Sequence, residues 1–110
     1  MLPEEGCLLR VFIGESDRYE GKPLYEWIVL KAHQERLAGA TVLRGMMGFG
    51  PSSRVYTTKI LRLSEDLPIV IEIVDTHEKL EGFLKVIDKA ILEGLVTLER
   101  AQVRLYRGRK

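Results

Sequence analysis

Apolar residues in the first half of the chain form two strand-like runs with a helix-like stretch between them. The run "CLLRVFIG", residues 7–14, is rich in branched and aromatic side chains and stops at a glycine, which predicts a largely buried strand. From Pro23 onward apolar residues recur at helical spacing until Gly39 offers a left-handed stop, so the first helix is predicted over residues 23–38. "ATVLRGMM", residues 40–47, then predicts the second strand.

The second half of the chain continues with a strand, a helix and a strand. "LPIVIEIVD", residues 67–75, carries Glu72 as its only charge before the terminal aspartate and is the clearest strand. Either Asp75 or Thr76 can cap the helix that follows, and Gly94 is predicted to end it. Residues 95–106 supply a last strand with partial alternation. The apolar face of this second helix consists of Leu80, Phe83, Leu84, Ile87 and Ile91.

The order strand, helix, strand, strand, helix, strand predicts an α+β fold of ferredoxin-like βαββαβ type. In this fold a four-stranded antiparallel sheet carries two helices on one face. Residues 1–110 are expected to form a single domain, since a chain of this length and apolar content can build one core. The other face of the sheet stays uncovered and carries apolar residues, so an oligomer is expected.

Composition excludes several classes of partner. The chain has 17 basic and 16 acidic residues, and a net charge of +1 provides no bulk attraction for nucleic acid or for a membrane surface. A single cysteine, Cys7, rules out an internal disulfide, and the N-terminus lacks a signal-peptide pattern. Apolar stretches are shorter than the roughly 18 to 20 residues that span a bilayer. We therefore expect a cytoplasmic protein without direct membrane insertion. His33 and His77 lack partners at ligand spacing, so no metal cofactor is expected.

Residues 49–65 form a long insertion between the second and third strands. A plain hairpin would use roughly two to five residues here, and length of this kind is usually functional. "RVYTTKILRLS", residues 54–64, mixes aliphatic and basic residues. This segment either extends the hairpin or becomes ordered only against a partner.

Glycines are concentrated where the second strand meets this insertion. Gly45, Gly48 and Gly50 lack a Cβ, which lets backbone N–H groups approach an anion and permits positive φ values. Ser53 and Arg54 add a hydroxyl and a guanidinium suited to phosphate. The stretch therefore predicts a phosphate cradle, with a twisted hairpin end as the alternative. It is neither a P-loop nor a dinucleotide fingerprint, because no Gly-Lys-Ser/Thr follows and no helix comes next.

The segment "GATVLRGMMGFG", residues 39–50, closely resembles the end of the second strand in the PII signalling proteins. There a Gly-x-Thr-Val segment leads to Gly-Phe-Gly and then to a mobile loop that touches targets; this chain has one more residue between the two halves. "GESDRYEGKPLYE" and "LRLSEDLPIVIEIVD" resemble the uncharacterised domain-of-unknown-function branch of the PII-like superfamily, and the resemblance covers nearly the whole chain. The matching positions are Gly39, Thr41, Val42, Gly48, Phe49 and Gly50.

The resemblance implies a homotrimer that binds an adenine nucleotide (ADP, ATP or AMP) in each cleft between neighbouring subunits. It implies a nucleotide-sensing regulator rather than an enzyme. The loop at residues 49–65 would signal to a protein target whether a nucleotide occupies the cleft. A membrane transporter is one class of such a target.

The resemblance also implies roles for individual residues. Thr41 would lie near the base or ribose, and Arg54 would bind phosphate at the root of the loop. "EGLVTLER", residues 93–100, lacks the lysine of the corresponding PII turn, although Gly94 and Thr97 fit a nucleotide-facing turn. Apart from the resemblance, the charge of Glu72 in an otherwise apolar strand favours a specific partner, which is either the ribose or adenine amino group of a nucleotide or a strand neighbour. The full nucleotide-binding set is Thr41, Gly45, Gly48, Phe49, Gly50, Ser53, Arg54, Glu72, Gly94, Thr97, Arg104 and Arg107, with no catalytic residue.

Two other functions stay open from the sequence. Acylphosphatases share this topology and use an arginine-bearing loop after the first strand, which makes a small phosphohydrolase the alternative. Their Gly-x-Val-Gln-Gly-Val-x-Phe-Arg pattern is absent here, where the chain has "GESDRYEGK". The third possibility is a purely structural trimer similar to the metal-tolerance relatives of PII.

Overall fold

The computed structural model describes residues 4–50, 55–57 and 66–109. Two helices, α1 (Leu24–Gln34) and α2 (His77–Ile87), pack on one face of a four-stranded antiparallel sheet. This confirms the predicted ferredoxin-like fold. The first strand lies between the third and fourth of the predicted strands. In sheet order the strands are β4 (Thr41–Arg44), β7 (Pro68–Asp75), β1 (Glu5–Gly14) and β8 (Leu95–Gln102).

Two short ribbons and one 3₁₀ turn complete the described elements. One ribbon joins β2 (Arg18–Tyr19) to β3 (Lys22–Pro23). The other joins β5 (Met47–Phe49) to β6 (Val55–Thr57), so the long insertion begins as an extension of the hairpin. A 3₁₀ turn, Asp88–Ala90, follows α2. In the part of the chain that the structure describes, no helix has the length and apolarity needed to cross a bilayer.

The core lies between the sheet and the helices. Alternate residues of β1 and β7 are buried under α1 and α2, as the sequence pattern predicts. Each large aliphatic side chain buried in this way contributes about 1.5–3 kcal/mol. Residues with no exposed surface are Leu9, Val11, Ile28, Ile71, Leu80 and Ile87.

Helix α1 ends earlier than the sequence predicts. Its last residue is Gln34, and Arg36 has a φ of 60°, so the left-handed stop lies at Arg36. The N–H of Leu37 then donates to the carbonyl of Ala32 at 3.1 Å, which closes the helix end. The predicted stop at Gly39 is therefore wrong, because a non-glycine residue takes the left-handed conformation three residues earlier.

Helix α2 begins with one of its two predicted caps. The Thr76 hydroxyl accepts a hydrogen bond from the N–H of Lys79 at 3.2 Å. Helix α2 ends at Ile87, well before the predicted stop at Gly94. Gly94 instead lies in the turn into β8, with a φ of 156°. A Cβ at Gly94 would lie 2.6 Å from the carbonyl oxygen of Phe12, so this close approach requires glycine.

The second and fourth predicted strands are both longer than the strands observed. Residues 40–47 divide into β4 and β5, because the chain leaves the main sheet after Gly45. The N–H of Gly45 donates to the carbonyl of Pro68 at 2.7 Å, and a Cβ at Gly45 would lie 2.8 Å from Pro68 Cγ. Strand β8 ends at Gln102, and the N–H of Val103 donates to the carbonyl of Glu4 at 2.6 Å. Residues 103–109, here called the C-terminal segment, have no regular structure.

Candidate functional site

The open face of the sheet, directed away from the helices, carries side chains in rows across the four strands. One row, here called the polar row, joins Thr41, Glu72, Arg10 and Thr97. The next row, called the apolar row, joins Leu43, Val70, Phe12 and Leu95. Since directly paired residues share a face in an antiparallel sheet, each row presents one continuous type of surface.

Arg10 organises the polar row. Its Nε donates to Glu72 Oε2 at 3.0 Å and its Nη1 donates to Glu99 Oε1 at 2.5 Å. The hydrogen bond with Glu72 raises the pKa of the Arg10 guanidinium, because it stabilises the charged form. Glu72 thus pairs with a strand neighbour, one of the two roles that the sequence left open.

A cleft of about 600 Å³ opens beside the polar row. Its floor is formed by the apolar side chains of Leu8 and Val74 together with Glu72. One wall consists of residues 38–41 and the opposite wall of residues 101–106. An apolar floor with a few polar groups is typical of a site for a small organic ligand.

Three of the predicted site residues line this cleft. Thr41 brings a hydroxyl, Glu72 a carboxylate and Arg104 a guanidinium, from β4, β7 and the C-terminal segment. The hydroxyl and carboxylate can bond the edge of a heterocycle or a sugar, and the guanidinium can bind an anion. Thr97 lies in the polar row, and neither Thr97 nor Arg107 lines the cleft.

The predicted glycines lie at the other end of the sheet. A Cβ at Gly48 would lie 3.1 Å from Pro68 Cγ. The ring of Pro68 therefore leaves little space for a side chain at either Gly48 or Gly45. Gly45, Gly48 and Gly50 do not adopt the positive φ values that glycine permits; among the described glycines, Gly21 and Gly94 do. Phe49 is 72% exposed. Ser53 and Arg54 lie outside the described residues.

The two halves of the predicted site lie far apart within one chain. Gly94 immediately precedes β8, and Arg104 follows its end. At about 3.3 Å per residue, this strand spans roughly 23 Å. That distance exceeds the reach of one mononucleotide. One chain therefore cannot bring Gly94 and Arg104 onto the same ligand.

Sequence reasoning missed two side chains that shape the cleft wall. Asp75 is 3% exposed, and its Oδ2 accepts a hydrogen bond from the N–H of Ala38 at 2.8 Å. The Tyr106 hydroxyl donates to the carbonyl of Ala38 at 2.5 Å. The sequence pattern predicts a possible helix cap at Asp75 and a strand at Tyr106. A carboxylate at an inward-facing strand position is the signal that predicts a specific partner for Asp75.

Among residues 4–50 and 66–109, no cluster of three or more histidine, cysteine, aspartate or glutamate side chains is placed to hold a metal ion.

Solved structures of other proteins share the fold of this chain. CPII from Thiomonas intermedia K12, bound to ADP and bicarbonate, has a TM-score of 0.66 at 18% identity, and the match covers 90% of this chain and 88% of that chain. The GlnK–ATP complex of B. subtilis has a TM-score of 0.51 at 11% identity, with 92% and 85% covered. At these identities the likeness concerns the fold.

Other proteins are more similar to this chain in sequence. A UPF0166 protein of Aquifex aeolicus (strain VF5) is 41% identical over 96 residues, which cover 87% of this chain and 90% of the relative. A UPF0166 protein of Methanocaldococcus jannaschii is 33% identical over 102 residues and covers 92% of both. The family model DUF190, described as "Uncharacterized ACR, COG1993", matches residues 6–103. The chain therefore belongs to the DUF190 family, and it shares its fold with the PII-like protein CPII.

Proposed function

We propose that this protein is a cytoplasmic, non-enzymatic regulator that binds an adenine nucleotide in the clefts between subunits of a homotrimer. The observation that carries the proposal is the convergence of Thr41, Glu72 and Arg104 on one cleft with an apolar floor. CPII, which shares the fold, is bound to ADP, AMP and bicarbonate in a solved structure.

The cleft offers each part of a nucleotide a suitable partner. The base packs on Leu8 and Val74, and apolar contact of this kind suits a flat ring. Glu72, oriented by Arg10, accepts a hydrogen bond from the adenine amino group or a ribose hydroxyl. Arg104 binds the phosphates, for which a guanidinium is well shaped.

The neighbouring subunit completes the site in this proposal. Gly45 and Gly48 lie at the other end of the sheet, and in the trimer they reach a nucleotide bound at the cleft of the next copy. Gly48 and Gly50 then offer backbone N–H groups to the phosphates, and Arg54 adds a charge. The uncovered apolar row supplies a surface on which the copies associate.

The output of the proposed regulator is contact with a protein target through residues 49–65, with a membrane transporter as one class of target. Large apolar side chains are exposed at the root of this loop: Met46 by 75%, Met47 by 65% and Phe49 by 72%. Exposed methionine and aromatic side chains are typical of protein-binding surfaces.

We expect Arg104→Ala to weaken ADP binding about ten- to a hundredfold, or roughly 1.5–3 kcal/mol, because a charge-assisted contact with phosphate is lost. Arg54→Ala is expected to have an effect of the same size. Isothermal titration calorimetry with ADP, ATP and AMP measures both. The matched control is Arg100→Ala, an exposed arginine of β8 that does not line the cleft. Wild-type affinity in Arg104→Ala would contradict the assignment of the phosphates to this cleft.

The acylphosphatase alternative receives a separate test. The arginine available in the loop after β1 is Arg18, whose Nη2 donates to the carbonyl of Gly21 at 2.9 Å. Phosphate release from acetyl phosphate by the purified protein would favour hydrolysis over the regulator proposed here.

A further inference from the structure

Ala38 is held from two sides at the wall of the cleft. Its N–H donates to the Asp75 carboxylate at 2.8 Å, and its carbonyl accepts from the Tyr106 hydroxyl at 2.5 Å. The second carboxylate oxygen of Asp75 accepts from the N–H of Thr76 at 2.7 Å, which ties this buried group to the start of α2. The wall at residues 38–41 is therefore anchored to the core through Asp75.

The hydrogen bond from Tyr106 crosses the mouth of the cleft. Tyr106 belongs to the wall formed by residues 101–106, and Ala38 belongs to the opposite wall. Arg104 lies two residues before Tyr106 in the same wall. The bond thus joins the two walls of the cleft, two residues from Arg104.

The C-terminal segment has few other attachments. In the described part of the chain, two hydrogen bonds connect it to the rest of the subunit, one from Val103 to Glu4 and one from Tyr106 to Ala38. Leu105 is 67% exposed and Tyr106 is 55% exposed, so burial of side chains adds little to the attachment of this segment. Loss of the Tyr106 bond leaves residues 104–109 without a hydrogen-bonded anchor to the subunit.

We propose that Tyr106 is a positioning residue of the nucleotide cleft: its hydroxyl latches the C-terminal segment to Ala38 and thereby holds Arg104 over the ligand. This inference rests on the proposed function. Without the latch the segment is mobile in the free protein, and nucleotide binding must order it, which lowers affinity. With the latch the wall is preorganised and Arg104 meets the phosphates without that entropy loss.

Tyr106→Phe removes only the hydroxyl and tests this role. We expect ADP affinity to fall about three- to tenfold, the range for loss of one hydrogen bond, with an unchanged melting temperature. Tyr25→Phe on α1 is the matched control, since Tyr25 does not line the cleft. Asp75→Asn is a poorer probe because Asp75 is buried and supports the fold.

A double-mutant cycle separates positioning from a general effect. If Tyr106 acts through Arg104, then Tyr106→Phe in the Arg104→Ala background should change ADP affinity by less than about twofold, since coupled residues are not additive. Additive losses, or equal affinity of Tyr106→Phe and wild type, would overturn the positioning role.

Hydrogen exchange in the nucleotide-free protein tests the latch by itself. We expect faster amide exchange in residues 103–107 of Tyr106→Phe than of wild type, because the segment opens more often. Unchanged exchange rates there would show that no latch exists and overturn the inference. If wild type binds none of ADP, ATP and AMP, the proposed function fails and the positioning role fails with it, whereas the exchange result still reports on the hydrogen bond.

Discussion

Gly94→Ala is expected to destabilise the fold by at least about 3 kcal/mol, because it combines backbone strain with a collision. The φ of Gly94 is 156°, a value that L-residues rarely adopt, and its Cβ would lie 2.6 Å from the Phe12 carbonyl oxygen. That oxygen belongs to the backbone of β1, a central strand, and cannot move aside. Urea denaturation at one fixed protein concentration measures the loss, since any association adds to apparent stability.

Gly82→Ala provides a control with the same chemical change and the opposite expected effect on stability. Gly82 is exposed within α2 and has no atom within 4 Å of the position of its Cβ. Alanine there should stabilise the protein by about 0.5–1 kcal/mol through its higher helix propensity. If Gly94→Ala keeps full stability but loses ADP binding, the glycine serves the ligand, as the sequence resemblance implies, and our steric explanation is wrong.

Val70→Asp is expected to convert the proposed homotrimer to a monomer. Val70 lies at the centre of the apolar row, on the face of the sheet that α1 and α2 leave uncovered. If copies associate on this face, the new carboxylate is buried without a partner, which costs about 3–5 kcal/mol in each subunit. Sedimentation equilibrium at micromolar concentration measures the change, and circular dichroism reports whether the monomer stays folded.

Leu30→Asp is the matched control for this prediction. Leu30 is 44% exposed and belongs to α1, in the helix layer on the other side of the sheet, so the trimer should persist. A wild-type monomer would contradict the homotrimer and remove the part of the site assigned to a neighbour. A trimer that tolerates Val70→Asp would show that the copies associate through another face.

The sequence by itself determined the fold class and the core. Ile69, Ile71 and Ile73 alternate in β7, and Leu80, Phe83 and Ile87 recur at helical spacing in α2; all six are buried. These patterns are local because the periodicity of a strand or helix decides which residues face the core. The segment at residues 39–50 also indicated a PII-like fold from the sequence alone, and CPII shares the fold of this chain.

Only the tertiary structure decided where several elements end. Helix α1 stops at Gln34 because Arg36 takes the left-handed conformation, and β4 stops at Arg44 because Pro68, which faces Gly45, has no N–H to donate in return. Neither event has a local signal strong enough to predict it. The end of α1 places a non-glycine residue at positive φ, and the end of β4 depends on a strand from much later in the chain.

The composition of the cleft was likewise decided by tertiary contacts. Thr41 and Glu72 become neighbours because β4 pairs with β7, and Arg104 joins them where the chain leaves β8. The bond from Tyr106 to Ala38 connects two segments without regular structure, so no periodicity encodes it. Local patterns determine which side chains are buried, whereas strand order and loop contacts determine which polar groups meet, because those groups come from residues far apart in sequence.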